Sequence, residues 1–453
     1  MTNKRIENEK VYYFIGIGGI SMSGLASYLL GRGHRVFGSD AASGEQIEKL
    51  RDLGAQIAAA DQFEVERFGW ISASDIVVYT DAIPFENKEL VYARERKKTI
   101  LSRVELLQEI CKSFSHVAAV AGSHGKTTCT AMCAHVFWRA NVSFCSHIGG
   151  EDLSLGNFWQ GGNEYFVTEA CEYKKNLLKI PAEVVVLLNV DRDHMECYAD
   201  EEDLHNTFRA FCGAAKVAVV CMDDSIASTV DGAITFSLYE KSADYRAAYL
   251  RQERERYAFS VYEYGLKVCR IHLQAVGRHN VYNALAAFAL MRTFGFSAQE
   301  IKKGLESFQG VKRRFEELGR YRGAEFVADY AHHPREILSA VRTARRVSKG
   351  RLFVVFQPHT YSRTKELMGE FVEVLRKIQG LVIYKTFPAR ESFDADGDGK
   401  RLAENVGGCL YADSVLALRT WLNSTIDEGD FVLFLGAGDI YYLAKYLASQ
   451  SRG

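Results

Sequence analysis

The chain reads as an α/β protein of three successive domains built on parallel sheets, and three observations lead there. Short apolar runs of strand length recur from end to end, each stopping at a turn of glycine or polar residues. Stretches with helical periodicity separate these runs, and strands alternating with helices specify parallel sheets covered on both faces. The length of 453 residues, against about 150 for a typical domain, leaves room for three such blocks. The expected division is a Rossmann-like domain at 1–112, a central P-loop domain with a parallel sheet at 113–317, and a second Rossmann-like domain at 318–453.

The first block opens with Val11-Tyr-Tyr-Phe-Ile-Gly-Ile-Gly-Gly-Ile-Ser-Met-Ser-Gly24, a strand running into a glycine turn, followed by the helical stretch 25–30 and a second strand ending at Asp40. These are the parts of a mononucleotide-binding unit, with the acid 22 residues after Gly18 and so placed to meet a ribose hydroxyl. Gly16 and Gly18 fit G-x-G, but Ser21 stands where the third glycine belongs, which suits a ligand other than NAD. Strands at 76–80 and 99–101 continue the sheet, and Thr80-Asp-Ala-Ile-Pro84 forms a further loop at a strand's carboxyl end, where α/β sheets bind ligands.

The second block carries Val117-Ala-Ala-Val-Ala-Gly-Ser-His-Gly-Lys-Thr-Thr128, the most informative segment of the chain. An apolar strand stops at a glycine-bracketed turn, and a helix follows. Gly122 and Gly125 let successive N–H groups face a phosphate at the helix N-terminus, Lys126 reaches the β and γ phosphates, and Thr127 offers its hydroxyl to Mg²⁺. Val120 occupies the position of the first glycine in the usual G-x-x-x-x-G-K-[ST] spacing, so the loop is a shortened variant. Glu169 ends one neighbouring strand, and Arg192-Asp-His194 follows another at 183–191; hard oxygen ligands and an imidazole beside a phosphate loop suit Mg²⁺. Zinc at His194 and Cys197 lacks further ligands at recognisable spacing. A helix beginning near Gly277-Arg-His279-Asn280 and the cationic cluster 312–314 close the block.

In the third block Phe326-Val-Ala-Asp329 is followed by His332 and His333, the strand 352–356 by His359 and Arg363, and the strand 431–435 by Gly436-Ala-Gly-Asp-Ile440. The loop Asp394-Ala-Asp-Gly-Asp-Gly399 opens like a calcium-binding EF-hand, yet Asn405 stands where its bidentate glutamate belongs, and it reads as a mobile polar loop.

Composition limits the partners. A net charge of −1 supplies no field that gathers nucleic acid or anionic lipid, so neither partner is expected. The first ten residues lack an apolar signal core and no run of 18 apolar residues follows, so the expected location is the cytoplasm. Ten cysteines without C-x-x-C pairing suit reduced thiols, and Cys129 with Cys133, one helical turn apart, read as packing residues.

Taken together, the motifs 16–24, 38–40, 121–128, Glu169, Asp193-His194, His279-Asn280, 312–316, 329–334, 357–359 and 436–440 resemble those of the Mur ligase family, in order and over nearly the whole chain. The resemblance implies an ATP-dependent amide ligase of peptidoglycan precursor synthesis, joining L-alanine to the lactyl carboxylate of UDP-N-acetylmuramate through an acyl phosphate. It implies Mg²⁺, as two ions: Thr127 and Glu169 hold one and His194 the other. ATP falls to Gly122, Ser123, His124, Gly125, Lys126, Thr127 and Thr128, with Asn280 on adenine, Arg314 on phosphates and Asp329 on ribose. The UDP-sugar falls to Gly16, Gly18, Gly19, Ser21, Met22, Ser23, Ser39, Asp40, Thr80 and Ala82. His333, His359 and Arg363 are implied for the amino acid, and Lys126, His194 and His333 for catalysis.

The chain departs from the family pattern at three places. Ser123 replaces a common threonine, Thr360 stands where some members have arginine, and 169–176 lacks the usual acidic run, leaving Glu172 to help with the second metal. Two alternatives stand: a ligase that attaches a recycled peptide to the same sugar nucleotide, and a non-catalytic nucleotide sensor built on two Rossmann sheets. Monomer and homodimer are both open.

Overall fold

The computed structural model describes residues 9–41, 43–58, 64–253, 256–389 and 391–450. Contacts divide the chain into two compact units: 1–250 with 259–272 and 281–309, and 251–258 with 273–280 and 310–453.

The first sheet comprises β1 (Val11–Ile15), β2 (Arg35–Ser39), β3 (Gln56–Ala58), β4 (Ile76–Tyr79) and β5 (Thr99–Ser102) in the order β3-β2-β1-β4-β5, all pairs parallel. This order reverses direction at β1, so the crevice at the carboxyl ends of β1 and β4 opens where the glycine turn and Thr80 lie.

The second sheet has ten strands: β6 (His116–Ala121), β7 (Phe144–Asp152), β8 (Gly156–Gln160), β9 (Tyr165–Glu169), β10 (Val184–Leu187), β11 (Val217–Cys221), β12 (Ile234–Ser237), β13 (Tyr245–Glu253), β14 (Arg256–Glu263) and β15 (Leu266–Val276). Their order is β15-β14-β13-β12-β11-β10-β6-β9-β7-β8. Neighbours from β12 to β7 pair in parallel, and only alanine and valine occupy 117–121 because β6 is buried on both faces. Cys129 and Cys133 pack fully buried in the helix Lys126–Arg139, and all ten cysteines are free thiols.

The third sheet comprises β16 (Glu316–Tyr321), β17 (Ala324–Asp329), β18 (Leu352–Phe356), β19 (Leu381–Tyr384), β20 (Leu410–Ala412) and β21 (Phe431–Leu435), ordered β16-β17-β21-β18-β19-β20. It is parallel except for β16, which joins β17 as an antiparallel edge.

Three details differ from the expectations. The strand at 183–191 is shorter, because the chain leaves the sheet after Leu187 and Asn189 turns back onto the phosphate loop. Within the polar loop 394–399, Ala395–Gly397 form a 3-10 turn: Asp394 caps the Asp396 amide, and Lys365 pairs with Asp394 and Asp396, each at 3.1 Å. The long strands β13–β15 had no counterpart in the sequence reading. Among the described residues, no helix is long and apolar enough to cross a membrane.

Candidate active site

Residues 16–19 form a tight turn from β1 into the helix Ile20–Gly31. Gly16 has φ +80°, and a Cβ there would come within 2.8 Å of Thr80 Cγ2, so glycine is required on both counts. Asp40 accepts from the Gly18 amide at 2.8 Å and thereby fixes the turn. Ser39 is buried and donates to Glu89, which also takes Tyr13 OH at 3.0 Å and Arg67 Nη1 at 2.9 Å. Ser23 donates to the Ile20 carbonyl, and Met22 lies in the core. The side chains of Met22, Ser23 and Ser39 are thus committed to the interior, and any part they take in binding falls to their backbone. Ser21 is held by His147 and Arg103, neither of which the sequence reading singled out.

The phosphate loop connects β6 to the helix Lys126–Arg139. Gly122 (φ +132°) and Gly125 (φ +88°) take conformations that side chains avoid, and a Cβ on Gly125 would meet Asn283 Oδ1 at 2.5 Å. The loop is latched from 189–191: Asn189 accepts from the His124 amide at 2.8 Å and donates to its carbonyl at 3.0 Å, while Ser123 Oγ accepts from the Asp191 amide at 2.8 Å. His124 Nε2 lies 3.1 Å from Asp191 Oδ2. These partners are distant in sequence, so no local signal marked them.

Lys126 folds back into the loop. Its Nζ donates to the carbonyls of Gly122 (2.5 Å) and Ser123 (3.1 Å) and to Glu172 Oε1 (3.0 Å). Burial is the strongest single influence on its pKa and lowers it, but Glu172, with Cys171 and Glu169 adding to it, outweighs burial and holds Lys126 above the usual lysine value, so it is a cation at neutral pH. Thr127 and Thr128 are buried in the first turn of the helix.

Glu169, at the end of β9, accepts from the Gly149 amide, where a Cβ would come within 2.5 Å of the carboxylate. Glu172 is buried, and among the described residues its Oε2 has no hydrogen-bond partner. It groups with Asp193 and His194, each offering a ligand atom within 4.8 Å of the others'. His194 sits at φ +55°, in the left-handed region, and its amide donates to Asp193 Oδ1 at 2.9 Å. Two carboxylates and an imidazole with an unsatisfied buried oxygen are a donor set that fits Mg²⁺. The second carboxylate of this group, Asp193, was not proposed as a ligand from sequence.

In the second unit, Asp329 ends β17 and accepts from the amides of Phe315 and Ala331, both at 2.8 Å. Burial raises its pKa to about 6 against the opposing pull of Arg314. The guanidinium groups of Arg313 and Arg314 lie 4.9 and 5.1 Å from the Tyr330 ring centroid. Asn280 is buried and donates to the Val276 carbonyl at 2.7 Å. His333 caps the helix Pro334–Val347 in a capping box with Glu336. His359 stacks on Phe387, and its Nδ1 lies 3.4 Å from Arg363 Nη1. Burial, with the charges of His332 and Arg363, pushes its pKa down to about 3, so its ring is neutral and Nδ1 accepts. Thr360 is held at φ +65° as the chain enters the short helix Tyr361–Glu366 that carries Arg363.

Three family models match the chain: the Mur ligase family catalytic domain over 11–115, the Mur ligase middle domain over 120–291, and the Mur ligase glutamate ligase domain over 313–438. A UDP-N-acetylmuramate–L-alanine ligase from Clostridium beijerinckii is 37% identical, covering 97% of this chain and 98% of the relative. One from Acetivibrio thermocellus is 38% identical, covering 96% and 95%. The crystal structure of the UDP-N-acetylmuramate–alanine ligase of Thermotoga maritima superposes with a TM-score of 0.84 at 26% identity, covering 98% of this chain and 99% of that one. A murein peptide ligase from Psychrobacter arcticus shares the fold at a TM-score of 0.76 and 21% identity, covering 97% and 98%. With family models spanning all three sheets and relatives above 30% identity along almost its entire length, the chain belongs to the Mur ligase family.

Proposed function

We propose that this protein joins L-alanine to the lactyl carboxylate of UDP-N-acetylmuramate with hydrolysis of ATP to ADP and phosphate. The observation that carries the reading is the partly buried Lys126 ammonium within a glycine-bracketed helix N-terminus, next to the carboxylates Glu169 and Glu172. A carboxylate and a triphosphate repel each other, so phosphoryl transfer needs concentrated positive charge between them. Lys126 supplies part of that charge, the more effectively because burial removes the screening that water provides. Mg²⁺ supplies the remainder when bound, and we assign two ions: one to Thr127 and Glu169, the other to His194 with Glu172 and Asp193.

The proposed division of labour keeps the turn 16–21 with Asp40 and Thr80 for the UDP-sugar. Residues 122–128 with Asn280, Arg314 and Asp329 serve ATP. The carboxylate attacks the γ-phosphorus and ADP leaves as the bond to the bridging oxygen breaks, giving an acyl phosphate; the alanine amine then attacks its carbonyl carbon, expelling phosphate and losing a proton to form the amide. For the amino acid, Arg363 pairs with the alanine carboxylate, while the neutral His359 and the helix-capping His333 shape the pocket. We place the enzyme in the cytoplasm.

The test is ADP formation with ATP, Mg²⁺ and UDP-N-acetylmuramate, given L-alanine, L-serine, glycine or a tripeptide in turn. L-Alanine is expected to support the fastest turnover. Absence of ADP with every amine refutes the ligase reading, and preference for the tripeptide replaces it with the peptide-attaching one.

A further inference from the structure

Four side chains of the first unit form a hydrogen-bonded series whose direction can be worked out. Arg103 Nη1 lies 3.2 Å from Ser21 Oγ, and Ser21 Oγ lies 2.8 Å from His147 Nε2. His147 Nδ1 lies 2.9 Å from Thr168 Oγ1, which lies 3.1 Å from the main-chain oxygen of Glu169. A guanidinium only donates and a carbonyl only accepts. Thr168 therefore gives its proton to the Glu169 oxygen and accepts from an N–H at His147 Nδ1.

The ring is 2% exposed and close to a guanidinium; burial, with Arg103 adding to it, pushes its pKa down to about 3 against the opposing pull of the Ser21 main chain. A neutral ring protonated at Nδ1 has a lone pair at Nε2, so Ser21 donates there and its oxygen is left to accept from Arg103. Among the described residues Ser21 is the hydrogen-bond partner of Arg103, and the other N–H groups of that guanidinium are available to an anion.

The helix start is fixed from the same side. Asn157 Nδ2 donates to the Ile20 carbonyl at 2.7 Å and to Ser23 Oγ at 3.0 Å, and a Cβ on Gly24 would touch the His147 ring at 3.4 Å. A flat ring with nitrogens on two sides is suited to span the gap from a hydroxyl on the first glycine turn to one on β9.

We propose that His147 is a positioning residue: as the Nδ1–H tautomer it orients the Ser21 hydroxyl and, through it, the Arg103 guanidinium toward the anionic part of the sugar nucleotide, and it ties that turn to the strand ending in Glu169. The inference rests on the reading of residues 16–23 as the sugar-nucleotide turn.

Two measurements test it. In the ¹⁵N-histidine-labelled full-length protein, with the His147 signals assigned by their loss in His147→Gln, long-range ¹⁵N–¹H spectra are expected to show the Nδ1–H tautomer at pH 7. An Nε2–H ring or an imidazolium overturns the proposal regardless of any activity. In steady-state kinetics, His147→Asn keeps a donor near Thr168 but leaves Ser21 without its acceptor. It should raise KM for UDP-N-acetylmuramate about tenfold, the worth of one charge-assisted hydrogen bond, with KM for ATP and kcat changed less than threefold. His147→Gln, which returns a polar group to the Nε2 side, should recover most of that loss. Equal rises in both KM values, or Asn and Gln variants that behave alike, would show a packing role only. Absence of ligation by the unmodified protein would instead count against the function proposed above, leaving the tautomer result intact.

Discussion

Lys126 and Glu172 form a buried ion pair whose two halves are unequally supported, and that asymmetry sets the outcome of removing either one. Their side chains are 15% and 3% exposed and 3.0 Å apart. At an effective dielectric constant of about 20, charges at that distance attract by about 5–6 kcal/mol before desolvation is counted. Breaking a buried pair on one side costs about 3–5 kcal/mol, because the surviving charge stays in the interior. Glu172→Gln leaves the ammonium with the Gly122 and Ser123 carbonyls, so its cost belongs at the low end, about 3 kcal/mol. Lys126→Met leaves a carboxylate whose Oε2 already lacks a donor, so its cost belongs near 5 kcal/mol. The double variant has no stranded charge and should be less damaged than the sum, with a coupling of about 2–3 kcal/mol. Because a chain of several domains does not unfold in one step, native-state hydrogen exchange at the amides of β6 and β10 is the appropriate assay. A coupling below about 0.5 kcal/mol, or a Glu172 variant less stable than the Lys126 one, would refute the reasoning. Lys126→Met should also abolish turnover.

Three further outcomes follow from other contacts. Asp40→Ala frees the Gly18 amide and should raise KM for UDP-N-acetylmuramate about tenfold while leaving that for ATP within about twofold; an equal effect on both would remove the case for two separate nucleotide sites. Gly149→Ala places a Cβ 2.5 Å from Glu169 Oε2 and should displace that carboxylate, raising the Mg²⁺ concentration for half-maximal rate about tenfold or more; an unchanged Mg²⁺ dependence would mean that Glu169 holds no ion. His147 has a native pKa of about 3 against 6.5 unfolded, so between those values the unfolded chain binds the proton and the native one does not. Stability is then lost as pH falls through that window, at up to about 1.4 kcal/mol per pH unit from this residue. Native-state hydrogen exchange at the amides of β7 and β9, corrected for the pH dependence of the intrinsic exchange rate and followed from pH 6.5 to 4, should show a shallower loss for His147→Gln than for the unmodified protein, and parallel curves would contradict the shift.

Both glycine turns were legible because their signal is local. Gly16, Gly122 and Gly125 need positive φ, and each follows an apolar strand and precedes a helix within about ten residues. Strand-end positions such as Glu169 and Asp329 were legible for the same reason, since a buried parallel strand ends where its apolar run does. The 3-10 turn at 395–397 has no local signal, since Lys365, which pairs with Asp394 and Asp396, lies in another helix. Ser39 and Ser23 were read as ligand contacts from their place in a motif, but Glu89 and Asn157, far off in sequence, draw their hydroxyls inward.

The sequence by itself determined the fold class and the backbone of each phosphate-facing turn, because conformational preference and hydrophobic period act over a few residues. Only the tertiary structure decided which side chains those turns employ and which it ties down. Lys126 meets Glu172 from 46 positions away and Ser21 meets His147 from 126, and separations of that size are closed by the packing of whole strands and helices.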